Sequence, residues 1–206
     1  MNMTPDSAPD PRIGFFDRLA PQWDRMERSP EETLRQVEEH ATGLVLKPGQ
    51  AVLEIGCGTG QLTGWLCERV RPGRVLSIDF SPEMIARARA KGLDAEFRVA
   101  DVCQSDLGEN AFDVAFCFHA FPHFSNQQSA LKQIARALKP GGRLLVMHLN
   151  SRQGVNAFHD QVGGEVAGDH LPNDADWNAL FAATGFELRS LTDREGLFLL
   201  EAVWIG

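Results

Sequence analysis

Short runs of consecutive apolar residues alternate along the chain with segments whose apolar positions recur every three to four residues. The runs predict strands over 51–55, 74–78, 95–100, 112–118 and 143–148. The helical periodicity predicts helices over 61–71, 82–91 and 127–138 between them. Local chemistry marks the ends. Ser81 caps a helix that opens with Pro82 and Glu83, and Gly92 stops it. Lys139-Pro140-Gly141-Gly142 separates the third helix from the next strand. Asn173 opens a further helix over 174–184, ended by Gly185. Two last apolar runs, 187–191 and 197–203, flank Asp193-Arg194-Glu195-Gly196 and predict a terminal hairpin. Strands alternating with helices imply an α/β fold, a doubly wound, mostly parallel sheet closed by an antiparallel hairpin.

Two regions stand outside this rhythm. At the start, residues 1–12 are rich in Pro and Asp and read as a disordered tail. An amphipathic segment over 13–26 then carries Phe15, Phe16, Leu19 and Trp23, and Pro21 interrupts it. Pro30 opens a second helix with Leu34, Val37, Ala41 and Leu44 on one face, stopped by Pro48-Gly49. Residues 13–48 read as a helical lid; the alternative is that they simply pack on the sheet. The second region, 149–173, is polar and glycine-rich, with a short helix near 155–162, and reads as an insert beside the sheet edge. No repeat or low-complexity block divides the chain, so 1–206 reads as one domain.

The most specific chemistry sits where the first strand ends: Glu54-Ile55-Gly56-Cys57-Gly58-Thr59-Gly60. Alternate glycines between a strand and a helix allow positive φ and let a ligand lie against backbone. A dinucleotide fingerprint G-x-G-x-x-G would need glycine at 61, where the chain has Gln61. Asp79 and Asp101 end the second and third strands, on the sheet edge where ligands bind, and Asp79 lies about 20 residues beyond the loop, the spacing of a ribose-binding carboxylate. Glu54, inside an apolar strand, is costly to bury without a partner.

Composition narrows the partners. The 206 residues are 43% hydrophobic with a net charge of −8 and no basic stripe, which argues against a nucleic-acid substrate. Cys57, Cys67, Cys103 and Cys117 form no C-x-x-C pair and read as reduced thiols. The N-terminus has no secretory pattern and no window approaches a membrane span, so a soluble cytoplasmic protein is expected.

The glycine motif E-x-G-x-G-x-G, together with Leu138-Lys139-Pro140-Gly141-Gly142 before the fifth strand, resembles the class I S-adenosylmethionine (SAM) methyltransferases, most closely those of the methyltransferase type 11 kind. The resemblance runs from about residue 13 to the C-terminus. It implies a Rossmann-like seven-stranded sheet and SAM as cofactor. It also implies that Gly56, Gly58 and the backbone of Cys57 face the methionine part, with Glu54 orienting loop and ammonium. Asp79 would accept from the ribose hydroxyls, Phe80 and Met84 would flank the adenine, and Asp101 and the Val102 amide would read its edge. Phe118 would lie beside the sulfonium. Trp23 stands where related enzymes often carry Tyr, and an indole N–H could replace that donor.

The acceptor side is less legible. Five of the six histidines lie in the second half: His119, His123, His148, His159 and His170. They are satisfied surface histidines, or one is a general base, with His119 and His148 at the strand ends as the candidates, or three of them bind a metal; no zinc motif is present. Arg152 is an acceptor clamp for carboxylate or phosphate, or a solvated loop residue. The resulting expectation is methyl transfer to a small molecule, with a non-catalytic SAM-binding module or an NAD(P)-linked oxidoreductase as alternatives. The acceptor and the oligomeric state are not readable.

Overall fold

The computed structural model describes residues 10–26 and 29–206. One sheet runs in the order β3-β2-β1-β4-β5-β7-β6. Its strands are β1 Ala51–Ile55, β2 Arg74–Asp79, β3 Glu96–Val99, β4 Phe112–Phe118, β5 Leu138–His148, β6 Phe186–Arg194 and β7 Leu197–Trp204. β1 to β5 are parallel; β7 runs antiparallel to both β5 and β6. The chain moves outward through β2 and β3, then crosses back to place β4 on the other side of β1. The crevice beyond the C-terminal ends of β1 and β4 is therefore the switch point of the sheet.

The helices are α1 Pro11–Leu19, α2 Pro30–Glu39, α3 Ala41–Leu44, α4 Thr63–Val70, α5 Pro82–Ala90, α6 Gln127–Ala137, α7 Arg152–Val162 and α8 Asp174–Thr184. Side-chain caps start most of them. Ser81 Oγ accepts from Met84 N–H, Asn126 from Ser129 N–H and Asn173 from Asp176 N–H. β1 is buried at every position, as a central parallel strand covered on both faces requires. Its alternate residues supply two cores. Leu53 and Ile55 join Leu76, Ile78 and Val146 under α6 and α8. Val52 joins Val75, Val114 and Met147 under α2 and α4.

The structure corrects several sequence expectations. Asp10, Pro11 and Arg12, read as tail, begin α1: Asp10 caps it by accepting from Arg12 N–H, and proline suits the first turn. Residues 1–9 lie outside the described residues. The helix opened by Pro30 breaks at His40, and α3 ends at Val45 with φ 37°. Here Gly43 packs tightly, since a Cβ there would lie 2.9 Å from Leu199 Cδ2. The helix expected from residue 61 begins at Thr63, because Gly60 at φ 78° still belongs to the loop. The region 149–173 is largely helical, with α7 followed by a 3-10 turn at Gly164–Val166.

Candidate active site

The glycine loop leaves β1 in a conformation that side chains resist. Gly56, Gly58 and Gly60 have φ of 70°, 54° and 78°. Gly56 and Cys57 both donate their N–H to Ile78 O, at 2.8 and 3.0 Å. Asp79 then ties the loop to the end of β2. One carboxylate oxygen accepts from Gly58 N–H and the other from Ser81 N–H, each at 2.9 Å. Burial outweighs these two bonds and pushes the Asp79 pKa up to about 6. Glu54 lies on the Val52 face of β1. Its Oε2 accepts from Thr63 Oγ1 and Ser77 Oγ, both at 2.6 Å. Those hydroxyls are the partners that its burial demands. Desolvation still dominates and raises its pKa to about 7.

Glu54 therefore has a signed consequence for stability. Its folded pKa is raised, so the contribution is present below the unfolded value and is lost as pH rises through about 7. A Gln at this position cannot titrate. Relative to Glu54→Gln, the wild type is expected to lose about 3 kcal/mol between pH 4.5 and 8, from ~2.5 pKa units at ~1.4 kcal/mol each. Urea unfolding of both proteins across that range measures it; parallel stability curves would remove the argument.

The N-terminal segment lies across the loop. Thr59 Oγ1 and Gln61 Nε2 both donate to Asp24, which also pairs with Lys91 at 2.9 Å. Asp17 accepts from Ser81 Oγ and from Glu83 N–H, bridging α1 to the start of α5. Phe16 packs edge-on against Trp23 and tilted against Phe80, with ring centroids 5.9 and 5.6 Å apart. Together with Ala20, Met84 and Val166 these rings form a third, small core. α2 and α3 instead place Val37 and Leu44 in a main core, and among the described residues up to Leu44 the cavity is lined by Asp10, Phe15, Phe16, Leu19, Trp23, Met26 and Thr33.

A cavity of about 560 Å³ opens beneath this segment. Every cofactor candidate named from the sequence lines it, from Trp23 and Glu54 to Val102 and Phe118, and so do His119 and His148. Asp101 spends its oxygens on Cys103 N–H and Gln104 Nε2 at 2.8 and 2.9 Å, so it is a turn residue as well as a lining one. Phe112 and Phe116 of β4 are buried in the two cores, while Phe118 at its end faces the cavity. No Lys or Arg side chain is among the described lining residues. A dinucleotide's diphosphate would meet Glu54, Asp79 and Asp101 with no facing cation. A nucleoside carrying a sulfonium and an ammonium fits these acceptor carboxylates, and the positive-φ glycines admit it against backbone.

At the far end of the cavity, four histidines converge. His119 takes φ 53° as β4 ends, and Leu149 N–H donates to its Nε2 at 3.2 Å. His148 is 1% exposed and lies edge-on to His119, ring centroids 5.0 Å apart. Neither ring nitrogen of His148 has a hydrogen-bond partner among the described residues. Burial, with lesser help from the neighbouring histidines, holds its pKa well below the ordinary value. His123 packs 4.7 Å from His159 and 5.0 Å from Phe16. Its Nδ1 lies 2.7 Å from Asp169 Oδ2. His170 pairs instead with Asp160, away from the cavity. No cluster of three or more His, Cys, Asp or Glu among the described residues is arranged to hold a metal. Arg152 is committed to Asp193, Asp174 and Pro172 O at 2.7–3.0 Å, which anchors the start of α7. It does not line the cavity.

The comparisons with known proteins agree with this geometry. A family model described as a methyltransferase domain matches residues 53–146, from β1 into β5. Over 204 aligned residues the chain is 35% identical to the demethylmenaquinone methyltransferase of Thermus thermophilus, covering 85% of this chain and 92% of that protein. The chain belongs to the class I SAM-dependent methyltransferases. SAM is its cofactor and methyl transfer its activity. It is also 35% identical over 105 residues to the ubiquinone/menaquinone biosynthesis C-methyltransferase UbiE of Bdellovibrio bacteriovorus, covering 49% of this chain and 45% of that one. Among solved structures, a chain from the complex between the Haloferax volcanii Trm112 methyltransferase activator and a methyltransferase superposes with a TM-score of 0.78. It covers 97% of this chain and 100% of its own at 22% identity, a likeness of fold. No helix among the described residues of this methyltransferase is long and apolar enough to cross a membrane.

Asp10, which lines the cavity, and Arg12, Asp17, Asp24, Thr63, Ser77 and Asp169, whose bonds hold its loop and walls, are residues that sequence reasoning missed. Thr63 and Ser77 had a signal, since a buried Glu54 calls for nearby donors. Asp24 had one in its place beside Trp23. Asp17, Asp169 and Arg12 had none.

Proposed function

We propose that this methyltransferase transfers the SAM methyl group to a neutral, hydroxyl-bearing aromatic molecule, of which a reduced quinone is the type. The carrying observation is the far end of the cavity. The walls of the whole cavity include Phe15, Leu19, Phe118, Phe158, Val162 and Val166, no Lys or Arg side chain is among the described lining residues, and at that end a buried His148 without a hydrogen-bond partner among the described residues faces the space. An unsatisfied buried imidazole costs about 1–3 kcal/mol, and an acceptor hydroxyl arriving there would relieve it. An anionic acceptor would find no cation. The names of the two curated relatives, both quinone-pathway methyltransferases, support the same class.

In this reading the cofactor roles follow the cavity's layout. Gly56, Cys57 and Gly58 cradle the methionine part by backbone, with Glu54 beside its ammonium. Asp79 takes the ribose hydroxyls, Phe80 and Met84 sandwich the adenine, and Asp101 with the Val102 amide reads its edge. Phe118 and Trp23 border the sulfonium. Bound SAM supplies an electrophilic methyl on a good leaving group; the protein orients the acceptor and excludes water. Residues 10–26 act as the lid, and 149–173 as the acceptor-side wall, all within a single domain. His119, whose Nε2 is engaged, orients the turn after β4, while His148 hydrogen-bonds the acceptor.

The test is S-adenosylhomocysteine (SAH) release from SAM with dithionite-reduced 1,4-naphthoquinone and with phosphoethanolamine as acceptors. Release with the first and not the second is expected. Turnover confined to phosphoethanolamine would overturn the reading.

A further inference from the structure

An acceptor hydroxyl must give up its proton, and the two strand-end histidines are poorly suited to take it. The lone pair of His119 Nε2 is already engaged by Leu149 N–H. His148 is buried where a positive charge is unfavourable, so it can hydrogen-bond an acceptor but not retain its proton.

His123 is built differently. It lines the same cavity, and its Nδ1 meets the Asp169 carboxylate at 2.7 Å. A carboxylate only accepts, so the proton sits on Nδ1 and the lone pair on Nε2. Nε2 has no protein partner among the described residues. Asp169 is itself buried and held from three sides. Its Oδ1 takes Arg12 at 3.1 Å, Arg12 is gripped by Asp10, and His159 Nδ1–H donates to the Asp169 carbonyl. The parts come from the first turn of α1, the turn after β4, α7, and the loop beyond it.

We propose that His123 is the base that takes the acceptor's proton, that Asp169 is the positioning residue that fixes its tautomer, and that Arg12 completes the pair when α1 lies over the cavity. The inference rests on the hydroxyl-acceptor reading above. In the step, the acceptor O–H bond breaks, its electron pair stays on the acceptor and the proton goes to Nε2. The imidazolium formed is balanced by Asp169. That pair forms the bond to the methyl group, whose bonding pair leaves with the sulfur; where the conjugated ring carbon attacks instead, its C–H bond then breaks, the pair restores the ring, the C–H proton goes to solvent and the oxygen takes one up. His123 then returns its proton to solvent. The ionisable groups that face His123 are Asp169 with Arg12 behind it, His159, whose pKa burial and His123 both lower, and His148, depressed in part by the same ring. His159 and His148 are thus held neutral, which leaves Asp169 as the charge His123 meets.

The test uses the full chain saturated with SAH, with 15N-labelled histidine. The wild-type His123 ring is expected as the Nδ1–H tautomer. In Asp169→Asn an amide N–H donates to Nδ1 and the ring switches to Nε2–H, with the proton aimed at the acceptor. Turnover with reduced 1,4-naphthoquinone is expected to fall by about 100-fold or more in Asp169→Asn and in His123→Gln, the range a general base supplies. Arg12→Gln is expected to lose about 10-fold with the tautomer retained, as one charge-assisted bond implies. SAH affinity within about threefold of wild type in each variant shows that the fold and cofactor site persist. An Nε2–H tautomer in the wild type, or His123→Gln turning over at the wild-type rate, would overturn the assignment. A wild type that binds SAH but leaves the naphthoquinol untouched would instead overturn the acceptor reading, and the tautomer result would still decide whether Asp169 positions His123.

Discussion

Replacing Gly56 by Ala is expected to weaken cofactor binding by about 100-fold or more and to lower the melting temperature by about 6–12 °C. Two costs combine. At φ 70° a side chain is strained by roughly 1–2 kcal/mol. A Cβ would also lie 2.3 Å from the Cβ of Ala120, in the turn that follows β4. That overlap forces backbone movement, typically 1–3 kcal/mol in a packed site. The sum, about 3 kcal/mol, sets the thermal shift for a chain of this size. The shift also moves the amides of Gly56, Cys57 and Gly58, so SAH affinity should fall by about 100-fold or more, on the scale of ~1.4 kcal/mol per tenfold. Differential scanning fluorimetry and calorimetric titration with SAH measure both effects. A variant that keeps wild-type SAH affinity would show that the loop does not hold the cofactor.

Asp79→Ala has an effect of similar size and adds a pH signature. In the proposed complex the ribose hydroxyls donate to the carboxylate. Two hydrogen bonds to a charged group are worth about 3–4 kcal/mol, or roughly 100- to 1000-fold in SAH affinity. The free carboxyl has its pKa pushed up to about 6 by burial. Hydroxyl donors favour the charged form, so they lower that pKa in the complex and binding releases a proton. SAH affinity should therefore rise as pH increases from 5 to about 6 and flatten above it. Asp79→Ala should show weak binding without that slope. Calorimetric titrations between pH 5 and 8 decide it; a variant whose affinity retains the slope would assign the titration to another group.

The parts of this site that were legible are those written locally. The glycine spacing at 56, 58 and 60, the strand-end Asp79 and the Ser81 cap each declare themselves within a few residues. The alternation of Val52, Leu53 and Ile55 between two cores follows from strand geometry alone. The acceptor end was not legible for a physical reason. Its His123–Asp169 contact joins residues 46 apart, and Arg12–Asp169 joins residues 157 apart. Only packing of α1 and α7 over the sheet edge brings them together. Arg12 sat in a Pro- and Asp-rich stretch that reads as tail, yet Asp10 and Pro11 are helix-starting residues and form α1. Arg152, by contrast, reads from its place after β5 as either an acceptor clamp or a solvated loop residue, but Asp193 on the terminal hairpin and Asp174 claim it. No Lys or Arg side chain is among the described residues that line the cavity, and the proposed acceptor class rests on that.

The most direct measurement is mass spectrometry of the products formed from trideuteromethyl-SAM and reduced 1,4-naphthoquinone by the wild-type protein. The account predicts a naphthoquinol bearing one trideuteromethyl group, with SAH formed in equal amount. SAH-competent protein that leaves the naphthoquinol unlabelled would contradict it.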